Sequence, residues 1–108
     1  MPKLFAYGTL QSPRLQKIFF GKTIKGQSAR LHGVKHVGGD YDKGEIPMIA
    51  TTSVKGSYVD GKVYEVPKDV VPRLDSYEGN GYRRVSMAAS YVDGTPMDTV
   101  YVYVRNDF

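Results

Sequence analysis

The sequence predicts an α+β fold: a small mixed, strongly curved β-sheet or barrel of about six strands, with two short helices packed outside. Three observations carry that reading. Short apolar or alternating runs recur along the whole chain. Two segments place helix-start and helix-stop residues around an apolar stripe. The 12 glycines and 6 prolines punctuate the 108 residues into turns. No repeat, linker or low-complexity tract divides the chain, so a single domain over residues 1–108 is expected.

Residues 3–7, Lys-Leu-Phe-Ala-Tyr, form a largely apolar run closed by Gly8 and read as a buried first strand. A loop over 8–11 leads to Ser12-Pro13, an N-cap followed by the residue best suited to the first helical position. Leu15, Ile18 and Phe19 then make an apolar stripe at i, i+3 and i+4, and Gly21 stops the helix. Residues 28–37 read as a strand interrupted or bulged at Gly33, with Gly38-Gly39-Asp40 turning the chain.

Residues 47–51 are a short strand candidate, and residues 58–66 a longer one that sets Val63 and Tyr64 on opposite faces. Pro67-Lys68-Asp69 starts a second helix over 69–78, where Pro72 is tolerated because first-turn amides lack intrahelical partners. Val85, Met87, Ala89 and Tyr91 then point one way and Arg84, Ser86, Ala88 and Ser90 the other, before Asp93-Gly94-Thr95-Pro96 reverses the chain. In residues 99–105, Val100, Val102 and Val104 alternate with Tyr101 and Tyr103. Two apolar faces place this strand in the interior of the sheet.

Composition narrows the function classes. No run approaches the roughly 18 apolar residues of a membrane span, and Met1-Pro2-Lys3 enters strand-like sequence without the apolar core of a signal peptide. A cytoplasmic location with no membrane partner is therefore expected. Zero cysteines exclude a disulfide scaffold, a thiol nucleophile and cysteine-ligated zinc. The net charge of +4 is scattered, and its densest group, Lys17, Lys22 and Lys25, fits a solvated helix end, so no nucleic-acid partner is expected.

No metal is expected either. Asp40, Asp42 and Glu45 superficially suggest a calcium loop, but Glu45 and Thr51 occupy the places of its turn glycine and bidentate glutamate. His32 and His36, four apart on a strand, are separated by about 13 Å and cannot share an ion.

Glu78 stands out. At about 100° per residue, Val70, Val71, Leu74 and Tyr77 of the second helix fall on one arc roughly 120° wide, and Glu78 falls inside it. Gly79 reads as the left-handed residue past the helix end, so Glu78 occupies a last turn whose dipole favours cations. Asp75, three residues earlier, adds like-charge repulsion. All three influences predict a raised pKa, which a proton-shuttling carboxylate needs. The alternative is that Glu78 reaches outward to pair with Arg83 or Arg84.

Two segments together resemble the gamma-glutamylcyclotransferase-like family, including its gamma-glutamylamine cyclotransferase branch: residues 5–10, Phe-Ala-Tyr-Gly-Thr-Leu, and residues 74–79, Leu-Asp-Ser-Tyr-Glu-Gly, followed by Tyr82-Arg83-Arg84. Between them, residues 61–66 are similar to the family's glycine-led strand ahead of the second helix, and the likeness runs in order along nearly the whole chain.

The resemblance implies a cofactor-independent enzyme that cyclises a small gamma-glutamyl substrate. The free α-amine attacks the γ-carbonyl, giving 5-oxoproline and an amine or amino acid. The substrate supplies the nucleophile, so the protein needs none of its own. Ring closure is intramolecular, and holding the substrate folded supplies much of the acceleration.

Carried over by position, Glu78 takes the general acid/base place, and Tyr7, Gly8, Thr9 and Leu10 the substrate-binding loop. There Gly8 lets the main chain come close and amides near the helix start favour negative charge. Tyr82 and Tyr101 take pocket-lining places. Tyr7 also reads as a core tyrosine with its hydroxyl at the rim, and Thr9 as a turn residue.

The chain departs from the pattern at Gln11-Ser12-Pro13-Arg14, where members carry a lysine- or glycine-rich, asparagine-containing segment, and it is short for the family. The leaving amine and the oligomeric state stay open. So do two alternatives: a non-catalytic small-ligand module on the same fold, and a barrel binding single-stranded nucleic acid through its tyrosines.

Overall fold

The computed structural model describes residues 1–8, 11–37, 48–106 and 108. Six strands form one sheet: β1 (Lys3–Ala6), β2 (Gln27–His32), β5 (Tyr58–Glu65), β6 (Tyr82–Met87), β7 (Ala89–Tyr91) and β8 (Val100–Arg105). A separate two-stranded ribbon joins β3 (Val34–Val37) to β4 (Met48–Thr51), the chain leaving β2 for β3 at Gly33. The helices are α1 (Pro13–Phe20) and α2 (Val71–Glu78), the latter entered through a 3-10 turn, Lys68–Val70.

The sheet order is β6-β8-β1-β5-β2-β7; β1 and β8 run parallel, and the other neighbours run antiparallel. The order explains the curvature. β6 and β7 occupy opposite edges, yet only Ala88 separates them in sequence. Two peptide links span at most about 7.6 Å, so the edges approach one another there and the sheet curls into a half-barrel. The unbroken alternation of residues 84–91 runs through two strands, divided at Ala88.

Each face of the sheet buries its own core. Phe5, Leu31, Val59, Val63, Val102 and Val104 pack on one face with Val34 and Ile49 of the ribbon. Leu4, Tyr64 and Tyr103 pack on the other, beneath Phe19 of α1 and Val70, Val71 and Leu74 around α2. As predicted, β8 is an interior strand covered on both sides, and so is β5: Val63 and Tyr64 are each 4% exposed, Val102 0% and Tyr103 6%. Gly61 lets β5 cross β1, since a Cβ there would meet the Ala6 carbonyl and lie 2.6 Å from Phe5 Cζ.

The helices differ from expectation in detail. Pro13 opens α1 and Gly21 closes it, but the Ser12 side chain makes no cap hydrogen bond. Ile18 is 56% exposed, and Gln16, 3% exposed, takes a core place beside Phe19. Its Oε1 accepts the Ile24 amide at 3.1 Å, which satisfies the buried carbonyl. Tyr77 also turns outward, 49% exposed, its ring meeting Phe19 edge-on at 4.9 Å.

The turn at Gly38-Gly39-Asp40, the carboxylates Asp40, Asp42 and Glu45, and Pro47 lie outside the described residues. Among the described residues no helix is long and apolar enough to cross a membrane, and no histidine or carboxylate cluster could hold a metal. His32 bonds Ser90 Oγ at 2.6 Å.

Candidate active site

The chain gathers one rim of the sheet at the carboxyl ends of its parallel pair. Leu4 of β1 lies opposite Tyr101 of β8, so the two strands finish side by side. Tyr7 and Gly8 leave the end of β1, while Arg105, the last residue of β8, pairs with Tyr82, the first of β6. α2 ends three residues before β6 begins, which brings Glu78 to the same rim.

Gly79 fixes that approach. Its φ of 75° is positive, as expected, but its ψ of −166° is extended, a combination essentially reserved for glycine. Its amide closes α2 on the Asp75 carbonyl at 3.2 Å, and its carbonyl accepts the Tyr82 amide at 3.4 Å. Glu78 and Tyr82 are thereby held across one tight turn.

Glu78 is half-buried and makes no ion pair or hydrogen bond with the other described residues. Burial pushes its carboxyl above the ordinary range. The outward pairing weighed from sequence does not occur. Arg83 Nη2 donates to the Phe108 carbonyl at 3.1 Å, and Arg84 Nε lies 3.2 Å from Asp75 Oδ1. The latter contact also explains why the expected repulsion by Asp75 adds nothing: that carboxylate is paired with Arg84 and accepts a hydrogen bond from the Tyr103 hydroxyl at 2.6 Å.

Tyr7 donates its hydroxyl to the Tyr103 carbonyl at 2.8 Å. Burial raises its pKa strongly, and Tyr82 and then Glu78 raise it further, so the phenol stays protonated in the field of the carboxylate. Glu78 and Tyr82 thus lie within electrostatic reach of Tyr7. Tyr7 also packs against the core, stacked with Phe5 at 6.4 Å, so it is a core tyrosine with its polar tip at the rim. The Gly8 carbonyl accepts the Gln11 amide at 3.1 Å, and Gln11 Nε2 ties the loop back to the Ala6 carbonyl at 2.8 Å. Thr9 and Leu10 lie outside the described residues.

Tyr101 is placed differently. It shares a face with Tyr103 but sits two residues earlier on β8, with the Arg84 guanidinium 4.5 Å above its ring. It opens on a cavity of about 270 Å³ with Lys3, Ser86 and Asp98. A cavity of about 210 Å³ beside the rim is lined by Asp75, Tyr82, Arg83, Arg84 and Tyr103. Sequence reasoning gave no role to Asp75, Arg84 or Tyr103 as a group. The signal that unites them is the β6/β8 register, which pairs Arg84 with Tyr103 and is not readable from either strand alone.

The family described as gamma-glutamyl cyclotransferase, AIG2-like, matches residues 4–107. The chain belongs to that family. A solution structure from Arabidopsis thaliana is similar to it at 28% identity and a TM-score of 0.79, over 98% of this chain and 69% of that one. A gamma-glutamyl cyclotransferase matches at 21% identity and TM-score 0.79, over 97% and 66% of the two chains. An AIG2-like protein from Mus musculus matches at 22% identity and TM-score 0.74, over 100% and 79%. The last two likenesses show a shared fold. This member of the family thus spans 66% to 79% of the length of these three structures. No curated protein matches it.

Proposed function

We propose that this protein is a cofactor-independent cyclotransferase that converts a gamma-glutamyl amine or peptide into 5-oxoproline and a free amine. The observation that carries the reading is Glu78: a half-buried carboxylate with no ion-pair partner among the described residues, raised in pKa, at the rim where Tyr7 and Gly8 leave β1. Membership of a gamma-glutamyl cyclotransferase family supports it.

In this reaction the substrate's α-amine, freed of a proton by Glu78, bonds to its own γ-carbon. The carbonyl π-pair moves to oxygen, where main-chain amides near Gly8 meet the developing charge. The intermediate collapses, the bond from the γ-carbon to the leaving nitrogen breaks, and Glu78 returns the proton to that nitrogen. A carboxyl raised towards neutrality serves both transfers, because it is neither too weak a base nor too weak an acid. The Tyr7 phenol, protonated across the working range, gives its one hydrogen bond to the Tyr103 carbonyl, so its oxygen offers the substrate ammonium an acceptor. The partner this chemistry requires is a small gamma-glutamyl compound, not a nucleic acid or a membrane.

The test is incubation with a panel of gamma-glutamyl amines and dipeptides, with 5-oxoproline quantified by mass spectrometry. Release of 5-oxoproline by the wild type and its loss in Glu78→Gln are expected. No product from the whole panel, or undiminished product from Glu78→Gln, overturns the proposal and favours a ligand-binding role.

A further inference from the structure

α2 presents two carboxylates to the same rim one turn apart, and the structure treats them oppositely. Asp75 is engaged twice, by Arg84 Nε at 3.2 Å and by the Tyr103 hydroxyl at 2.6 Å. Glu78 is engaged by neither. Side chains three apart on a helix have Cβ atoms about 5–6 Å apart, so a guanidinium bound to Asp75 lies within one side-chain swing of Glu78. The surroundings agree: the Tyr103 phenol feels Asp75, Arg84 and Glu78 together.

The titratable and charged groups gathered with Glu78 at this rim are Tyr7 from the end of β1, Tyr82 and Arg84 from β6, Tyr103 from β8 and Asp75 from its own helix. Among the described residues the other arginines of this region are engaged elsewhere. Arg83 reaches the Phe108 carbonyl, Arg73 the Ile18 and Phe19 carbonyls, and Arg105 the Met48 sulfur. Arg84 is therefore the cation that would fall to Glu78 if its present partner were removed.

We infer that Asp75 is a positioning residue that restrains Arg84: engaged by Asp75 and stacked on Tyr101, the guanidinium is kept from pairing with Glu78, whose carboxyl stays free to take and return a proton. The inference rests on the proposed acid/base role of Glu78. A bound Arg84 would hold Glu78 as a carboxylate and deprive the leaving nitrogen of its proton. Tyr103 belongs to the same device, because its hydroxyl fixes the Asp75 oxygen that Arg84 uses.

The experiment is direct titration of the Glu78 carboxyl by NMR in protein carrying 13C-labelled glutamate, with Glu78→Gln identifying the resonance. In Asp75→Asn the Glu78 titration is expected to fall by about one pH unit, as it does when a cation arrives within 4–6 Å. The acid limb of kcat, where protonation removes the base, should move down with it, and turnover at neutral pH should drop by up to about tenfold, the most that weakening a base by one pH unit can cost. Asp75→Asn/Arg84→Gln should restore both titration and turnover, a rescue that a purely structural clamp would not give.

Arg84→Gln alone, which leaves Asp75 unneutralised, should raise the Glu78 titration. It also decides the matter if Asp75→Asn does not fold: an unchanged or lowered value overturns the inference. So does an unmoved Glu78 titration in folded Asp75→Asn, or a double variant that stays shifted. The titrations need no turnover. Failed titrations with an active wild type sink the restraint and leave the reaction standing, whereas the expected titrations in an inert wild type sink the reaction.

Discussion

The two faces of the curled sheet are made by the same strands yet serve different ends. From β1, β5 and β8 one face receives Phe5, Val63 and Val102, the other Leu4, Tyr64 and Tyr103. The buried residues of the first core are aliphatic apart from Phe5, with Tyr7 and Phe108 packed at its margin, and they meet one another and the ribbon. The second accepts tyrosines because the helices above it supply polar partners, as Asp75 of α2 does for Tyr103. An aliphatic face has nothing to offer a charge, whereas a helix-covered face brings carboxylates to its rim. Stability should therefore answer to the first face and chemistry to the second.

The strongest way to break that division is Glu78→Gln. Loss of a general acid/base costs about 10²- to 10⁴-fold in turnover, and the amide keeps the shape of the side chain, so circular dichroism and the urea midpoint should stay at or above those of the wild type. A stability loss above about 2 kcal/mol would instead mark Glu78 as a structural partner and erase the contrast.

Next comes Leu31→Ala on the aliphatic face. Leu31 is 0% exposed, and such a truncation costs about 2–5 kcal/mol through lost transfer energy and the cavity left behind. Urea unfolding should show that loss, while turnover per folded molecule stays near that of the wild type. A large fall in kcat at full folding would show that the two faces are coupled.

How far these roles could be read from sequence follows the same division. Alternation in β5 and β8 marked both faces of the sheet, because a period of two survives whatever packs against it. The partial burial of Glu78 was legible because its carboxylate fell inside an arc of apolar helical residues, of which only Tyr77 turns outward. The break at Ala88 was not, since the alternation of residues 85–91 continues through it and only closure of the sheet divides it. Nor could sequence rank Gln16 above Ile18, because the gain at Gln16 comes from partners distant in sequence, the Ile24 amide and the Tyr64 hydroxyl. Tyr101 and Tyr103 look equivalent by period. Only the register sends Tyr103 towards Asp75 and pairs Tyr101 with Ser86 instead.

Tyr103→Phe sharpens the comparison, because Tyr103 belongs to the helix-covered core by its ring and to the rim by its hydroxyl. Removing that hydroxyl takes a charge-assisted hydrogen bond from Asp75 and keeps the ring and the main-chain carbonyl that Tyr7 uses. With Asp75 partly exposed and still paired to Arg84, the expected loss is about 1–2 kcal/mol in chemical denaturation. A loss as large as that of Leu31→Ala would make the phenol part of the stabilising core.

The smallest effect is one of sign, and it is the most specific to Glu78. Burial holds the folded carboxyl above the ordinary value that the unfolded chain shows. Between those two values the folded protein binds the extra proton, so this group's contribution to stability falls as pH rises and is least favourable once Glu78 is ionised. Below the unfolded value both states are protonated and the penalty disappears. The difference in Tm between Glu78→Gln and wild type should thus be near zero around pH 4 and positive by pH 8, measured by thermal unfolding across that range. Asp93, held low chiefly by the Thr95 amide, acts in the opposite direction, but it does so in both proteins and drops out of the difference. An ion-paired Glu78 would reverse the sign, with the glutamine variant losing stability as pH rises, because a depressed carboxyl stabilises only while it is charged.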